Sequence, residues 1–284
     1  MSAAPRRLRR SPPSEHARGD LIRLLSNGVG RNENVVSEFV KAATRALVQQ
    51  LLEAEQADFL GGRGRYGRRA AKQRGSRNGY EPIRLHTDEG VIKVNVPQVR
   101  NVGQPYRSSL MRRLDDETGL LDRIVLEAYG RALSPRSSGH AFEDVNGVSL
   151  VSPSAVHEVI RQFSADHLAF FDRDLSDVPI EHLFCDAAFE SPKRKGRDEA
   201  LLVAWSIDTV GRKLLLQLAV GDKASETAWK ALLHNLIDRN LRTPRTVTTN
   251  GSTGMAEAVA TVFPKTVRFR HWFDRPTERR TGIA

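Results

Sequence analysis

Cysteine is almost missing: Cys185 is the single one in 284 residues. One thiol excludes an intramolecular disulfide framework and a cysteine-rich zinc module, and it fits a reducing compartment. No apolar run approaches the roughly 18 residues that a membrane-spanning helix needs. The opening MSAAPRRLRRSPPSEHARGD has charge but no apolar core of the kind a secretion signal requires. A cytoplasmic location with no membrane partner is therefore expected. A phosphate-cradling glycine loop, a Rossmann fingerprint and a serine triad are also absent, which removes the commonest nucleotide-binding and hydrolase classes.

What the chain has in excess is positive charge. Its 44 Lys and Arg against 34 Asp and Glu leave a formal charge of +10, while 39% hydrophobic residues suffice for a full-sized core. That balance favours a polyanionic partner, double-stranded DNA first among them. Residues 1–35 combine Arg6, Arg7, Arg9 and Arg10 with Pro12 and Pro13 and are expected to be a basic flexible arm. Over 36–115 three features follow: an amphipathic helix, a basic segment and a β-hairpin. The helix shows in Phe39, Leu47, Leu51 and Leu52 at helical spacing, stopped by Gly61 and Gly62. The basic segment, GRGRYGRRAAKQRGSRNGY, holds Arg63, Arg65, Arg68, Arg69, Lys72, Arg74 and Arg77 without one acidic residue. Such a block is expected to avoid internal packing and to lie in solvent or on phosphate. The hairpin is read from IRLHT and VIKVNV, which alternate around Asp88–Glu89–Gly90, with Pro97 closing it.

Residues 116–172 show helical spacing over Glu117–Leu133, a shorter helix around Arg136–Val145, a turn at Gly147 and a further helix opened by Ser152 and Pro153. That order is a helix-turn-helix pattern, although any three short helices around a glycine turn share it. If the stripe Val156, Val159, Ile160 and Phe163 points inward, Ser154, His157 and Arg161 face outward, where a recognition helix meets the major groove.

From residue 180 to 284 the pattern changes. Three short apolar strands, HLFCDAAF, ALLVAWSIDTV and KLLLQLAVG, precede a helix over Ala224–Arg239, a strand RTVTT, a helix GMAEAVATVF and a strand TVRFR. Three strands, helix, strand, helix, strand is the order of the ribonuclease H-like fold, so the fold class is α/β, an incomplete domain of that type preceded by mixed α and β DNA-binding segments. Asp186 lies within the first strand. A carboxylate there costs several kcal/mol unless a cation or hydrogen bonds compensate. Mg²⁺ or Mn²⁺ would do so, and a pair of such ions roughly 3.5 to 4 Å apart serves phosphodiester chemistry. The alternative is a strand-end Asp bonded to backbone amides. Asp222 and Glu226 suit the start of a helix better than catalysis, and Trp205 and Trp229 suit the core.

Five blocks then carry a resemblance: LLEAEQADFLGG, RGSRNGYEPIRLHTDEGVIKVNVPQVR, LVSPSAVHEVIRQF, LFCDAAFE and AVGDKASETAWKALLHNL. In content and order, from about Leu47 onward, the chain resembles the mutator-like transposases of bacterial insertion sequences. The resemblance implies a ribonuclease H-like core with an Asp, Asp, Glu metal site holding Mg²⁺ or Mn²⁺. It also implies binding of terminal inverted repeats, strand cleavage and transfer, and a dimer or larger assembly on DNA. Asp186 matches the first Asp. The second stands in an Asp-Gly-x-x-Gly motif after a short strand, and TVTTNGSTGM places Asn250 there. An amide oxygen can ligate Mg²⁺ but brings no charge, so metal binding is expected to be weak. His271 and Asp274 in RFRHWFD depart from a further Arg-x-Arg-Cys-x-x-His block. The third carboxylate is implied beyond a helical insertion, past Ala284, and no residue here stands for it. Two functions remain open: a catalytically impaired transposase, or a DNA-binding remnant or interfering partner of an intact enzyme.

Overall fold

Helix α2, Val35–Phe59, is the centre of the molecule, with buried residues on nearly all its faces. Asn34 starts it, its Oδ1 accepting from the Val36 and Ser37 amides at 3.1 and 3.3 Å. Gly61 and Gly62, both at positive φ, end it, as their lack of a Cβ allows. The chain is described here from a computed structural model over residues 11–62, 75–116, 152–188 and 199–270, with single positions at 65, 67, 121, 124, 125 and 128 between those stretches.

Residues expected to form a flexible arm instead include helix α1, Pro13–Asn27. The prolines that suggested disorder begin the helix, with Pro13 where its missing N–H costs nothing. Ala17, Leu21 and Leu25 recur every fourth residue and are buried. Asp20 pairs with Arg45 of α2 at 2.9 Å, and Ser14 donates to Glu53 at 2.7 Å.

The hairpin forms as expected but runs longer. Strands β1, Ser76–Thr87, and β2, Gly90–Arg100, pair antiparallel. Pro97 sits inside β2, opposite Tyr80, rather than at its end. The register shifts between Arg77 and Tyr80 at that point, and a proline without an N–H is tolerated where the ladder is already broken. Ile92, Val94 and Val96 face the core. Two glutamines of α2 reach the strand backbone: Gln49 exchanges 2.8 Å bonds with both the N–H and the C=O of Asn95, and Gln56 donates to the Gln98 carbonyl at 2.9 Å. A helix α3, Ser109–Asp116, not read from the sequence, is tied to α2 by Glu55, which accepts from the Ser109 amide at 2.6 Å.

In the region read as a helix-turn-helix, Ile124, Val125 and Ala128 are helical and buried, and the expected helix around 136–145 lies outside the described residues. Helix α4, Pro153–Phe171, buries Val156, Val159, Ile160 and Phe163 on one side.

The remaining elements are β3 Ile180–Ala188, β4 Glu199–Asp208, β5 Lys213–Asp222, α5 Glu226–Asp238, β6 Thr246–Thr249, α6 Thr253–Val262 and β7 Val267–Arg270. Their strands form one mixed sheet in the order β5-β4-β3-β6-β7, antiparallel among the first three and parallel from β3 to β7. Each face is covered by helices. Leu201, Val203, Leu215 and Leu218 join the core built by α1, α2 and α4, while Leu183, Cys185, Leu202 and Leu216 pack against α5 and α6 around the fully buried Trp229.

Edge strand β5 is shielded by side chains and loop rather than by another strand. Val29 of the α1–α2 loop bridges Lys213. Farther along, Leu216 falls at a break in register with β4, and its carbonyl accepts from Arg239 Nη1 at 3.0 Å. The Leu215 carbonyl accepts from Arg173 Nη2 at 2.9 Å. Arg239 also donates to the carbonyls of Arg173 and Phe170, so the end of α4, the end of α5 and the edge of the sheet meet at one guanidinium.

Candidate catalytic site and nucleic-acid interface

The parallel register of β3 and β6 defines the first site. The last recorded pair is Cys185 with Thr249, so Asp186 and Asn250 are the residues that immediately follow it, at the carboxyl ends of the parallel strands β3 and β6. Side-chain alternation puts Leu183 and Cys185 into the α5–α6 core and assigns Phe184 and Asp186 to the opposite face. There Phe184 stacks on Trp205 of β4, centroids 3.9 Å apart and planes at 6°. Trp205 is thus partly buried and Trp229 wholly so, both in packing roles as expected, with Trp229 Nε1 donating to the Lys223 carbonyl at 2.9 Å.

Asp186 is half-buried, and one of its oxygens accepts from the Ala187 amide at 2.8 Å. That is the kind of bond a strand-end Asp makes to a backbone amide, and it leaves the carboxylate in place for either role. Burial, together with the adjacent Asp186 charge, pushes the Cys185 thiol up to about 12, which makes it an inert core group. Asn250 is exposed, and its Oδ1 accepts from the Ser252 amide at 3.2 Å, the local turn that Asn and Asp both favour.

The glycines around Asn250 have separate physical reasons. Gly251 adopts φ +87°, and a Cβ there would fall 2.1 Å from Arg270 Nε. A Cβ on Gly254 would fall 2.1 Å from the Ala224 carbonyl oxygen, where the start of α6 meets the start of α5. Asp222 turns the chain into α5 by accepting from the Ala224 amide at 2.8 Å, and Ser225 caps the helix. Sequence reading did not single out Arg270 as part of this site. Its position at the end of β7, opposite Thr249, is visible only from strand pairing. His271 and Asp274 lie outside the described residues.

A divalent pair needs several carboxylate oxygens. Among the described residues no group of three or more His, Cys, Asp or Glu is placed to hold a metal ion. One carboxylate and one amide already engaged in its own turn do not fit two dications.

The second site is the predicted DNA interface. Arg63, Arg68, Arg69, Lys72 and Arg74 lie outside the described residues, whereas two members of the basic segment are held by the fold. Arg65 Nη1 donates to the Tyr80 hydroxyl at 2.7 Å and its guanidinium lies 5.5 Å from that ring's centroid. Arg77 Nε donates to Gln56 at 3.1 Å. The expectation that the block avoids internal contact is therefore corrected for these two. A strand begins before the segment ends, and β1 presents Arg77 to α2.

Helix α4 begins beside the end of α2, where the Ser152 amide donates to Asp58 at 3.3 Å. The basic segment departs from that same end of α2. His157 and Arg161 are exposed, and Ser154 lies in the first turn of α4 with its side chain outside the described residues. Sequence reading passed over Glu158, which grips Arg161 through two bonds: Nε to Oε2 at 2.8 Å and Nη2 to Oε1 at 2.7 Å. Gln162 donates to the same carboxylate at 2.6 Å, and these bonds hold Glu158 at about 2, well below the usual carboxylate range.

The described chain is an α/β protein whose mixed sheet runs β3 and β6 in parallel up to the residues that precede Asp186 and Asn250. It belongs to the Mutator family of transposases, whose model matches residues 19–271. It is similar to the transposase for insertion sequence element ISRM5 of Rhizobium meliloti (strain 1021), 28% identical over 244 residues, covering 85% of this chain and 58% of that protein. The transposase for IS1201 of Lactobacillus helveticus is 25% identical over 82% of this chain and 62% of its own length. The transposase for IS406 of Burkholderia multivorans (strain ATCC 17616 / 249) is 28% identical over 78% and 56%. The chain thus spans less than two thirds of these relatives. No helix among the described residues is long and apolar enough to cross a membrane.

Proposed function

We propose that this chain acts in transposition of an insertion sequence by binding the element's terminal inverted repeats as double-stranded DNA, and that its strand-cleaving centre is impaired. The sheet is read as ribonuclease H-like, with Asp186 as the first metal-binding carboxylate and Asn250 in the place of the second. The observation that carries this reading is the parallel pairing of β3 and β6 up to Cys185 and Thr249, the residues directly before Asp186 and Asn250. Mg²⁺ or Mn²⁺ would meet one formal negative charge there, so binding is weak. A second reading, a non-catalytic DNA-binding remnant or interfering partner of an intact transposase, is favoured by the neutral side chain of Asn250, which adds no charge to that of Asp186. Both readings include α4 as the recognition helix of a helix-turn-helix, contacting DNA through Ser154, His157 and Arg161. Both also include the Arg63–Arg77 segment on phosphate and assembly of more than one copy on DNA.

DNA binding tests what the two readings share. Affinity should fall steeply with salt, because each phosphate contact adds about 0.9 to the slope of log K against log salt. Replacing Arg68, Arg69, Lys72 and Arg74 together by Ala should flatten that slope by up to about 3.6, four contacts' worth. An unchanged slope would put the binding surface elsewhere.

A further inference from the structure

The Glu158–Arg161 pair is unusual for an exposed helix pair in its geometry. Most i,i+3 ion pairs are single, mobile contacts of little energetic consequence. Here the carboxylate takes both donors on one side of the guanidinium, Nε and Nη2, and is itself held by Gln162. The pair remains in solvent, with the Arg161 side chain 60% exposed and the Glu158 side chain 49% exposed.

The fork has a chemical consequence. A guanidinium has five N–H donors in a rigid plane. Glu158 uses the Nε hydrogen and one Nη2 hydrogen, which leaves the end of the plane, formed by the Nη1 hydrogens and the other Nη2 hydrogen, unused by the described residues. Two parallel donors at that spacing match guanine O6 and N7 in the major groove, the commonest specific contact an arginine makes to DNA. An unbraced arginine would lose several rotamers on binding, and a braced one has already lost them.

We infer that Glu158 is a positioning residue for sequence recognition, holding Arg161 so that its free end reads a guanine in the major groove. This rests on the reading of α4 as the recognition helix. It assigns Glu158 a role distinct from charge. A carboxylate on a DNA-facing surface repels phosphate, so its removal should strengthen binding to random duplex while weakening the choice of base. A merely electrostatic residue would change the first and leave the second.

The test is a duplex library of randomised sequence, bound by the full chain and by Arg161→Ala, Glu158→Ala and Glu158→Gln variants. All three substitutions are at exposed positions, and thermal melting would confirm folding. The wild type should prefer guanine at one position by roughly tenfold or more, and Arg161→Ala should abolish that preference. Glu158→Ala should bring it near parity while raising affinity for the library as a whole, and Glu158→Gln should fall between. Guanine preference lost in Arg161→Ala but intact in Glu158→Ala would overturn the positioning role alone. Preferences unchanged at every position in Arg161→Ala would overturn the recognition-helix reading with it.

Discussion

Replacing Arg239 by methionine is expected to lower the unfolding free energy by about 3 kcal/mol, with the urea m-value unchanged. The residue is 7% exposed, and its guanidinium donates to the carbonyls of Arg173 at 2.9 Å, Leu216 at 3.0 Å and Phe170 at 3.5 Å. Burial pulls its pKa down, opposed by the charge of Asp172. Neighbouring Arg173 is drawn down to about 10, first by burial and then by the charge of Arg239. Two cations thus lie close together, with backbone carbonyls and the Asn235 side-chain oxygen as their hydrogen-bond acceptors. Methionine would relieve the desolvated charge, which by itself stabilises. It would also take the guanidinium donor from the Leu216 and Arg173 carbonyls, at about 1–3 kcal/mol each, while the Phe170 carbonyl keeps its bonds from Arg173, and that cost is larger. Leu216 is most affected, because it stands at the register break where the sheet offers no regular partner. Lysine should not rescue the loss, since a single ammonium cannot span acceptors on α4, α5 and β5 at once. A change below about 1 kcal/mol would show that water or a neighbour replaces the guanidinium without strain.

The Arg239 joint also explains which parts of the molecule were legible beforehand. Helix α2, the hairpin and the strand–helix order from β3 to β7 were read correctly because their apolar residues recur at periods that belong to one conformation. The stripe on α4 was legible for the same reason. Helix α1 was missed although Ala17, Leu21 and Leu25 have the right spacing, since Arg and Pro in the flanking residues dominated the composition. A joint made of guanidinium donors and backbone carbonyls leaves no trace in residue type on the acceptor side. Phe170, Leu215 and Leu216 look like core residues whether or not an arginine reaches them. The turn after β6 was legible because Gly251 and Gly254 are demanded by backbone geometry: one needs positive φ, the other allows α6 to touch the start of α5. Arg270 and Glu158 were not, because their importance depends on strand pairing and on which neighbour a side chain grips.

Reverting Asn250→Asp is expected to tighten Mn²⁺ binding by roughly thirtyfold, since a unit charge about 4 Å from a dication contributes about 2 kcal/mol even at the dielectric constant of water. Position supports the change: residues 186 and 250 each follow the paired Cys185 and Thr249, and aspartate can accept from the Ser252 amide as asparagine does. Isothermal calorimetry with Mn²⁺ would measure the gain. Asp186→Ala in the reverted background should remove it, because the gain requires both oxygen donors. Cleavage is a separate outcome. The parent chain is expected to leave supercoiled DNA uncut in Mg²⁺ or Mn²⁺, since with Asn250 in place Asp186 is the one carboxylate of the pair to serve two ions. Tighter Mn²⁺ binding without nicking would therefore fit the impaired site. Equal Mn²⁺ affinity in the parent and the reverted chain would mean that Asn250 and Asp186 do not form one site. Metal-dependent nicking by the parent chain, lost in Asp186→Ala, would show instead that the amide suffices and that the impaired-centre reading is wrong.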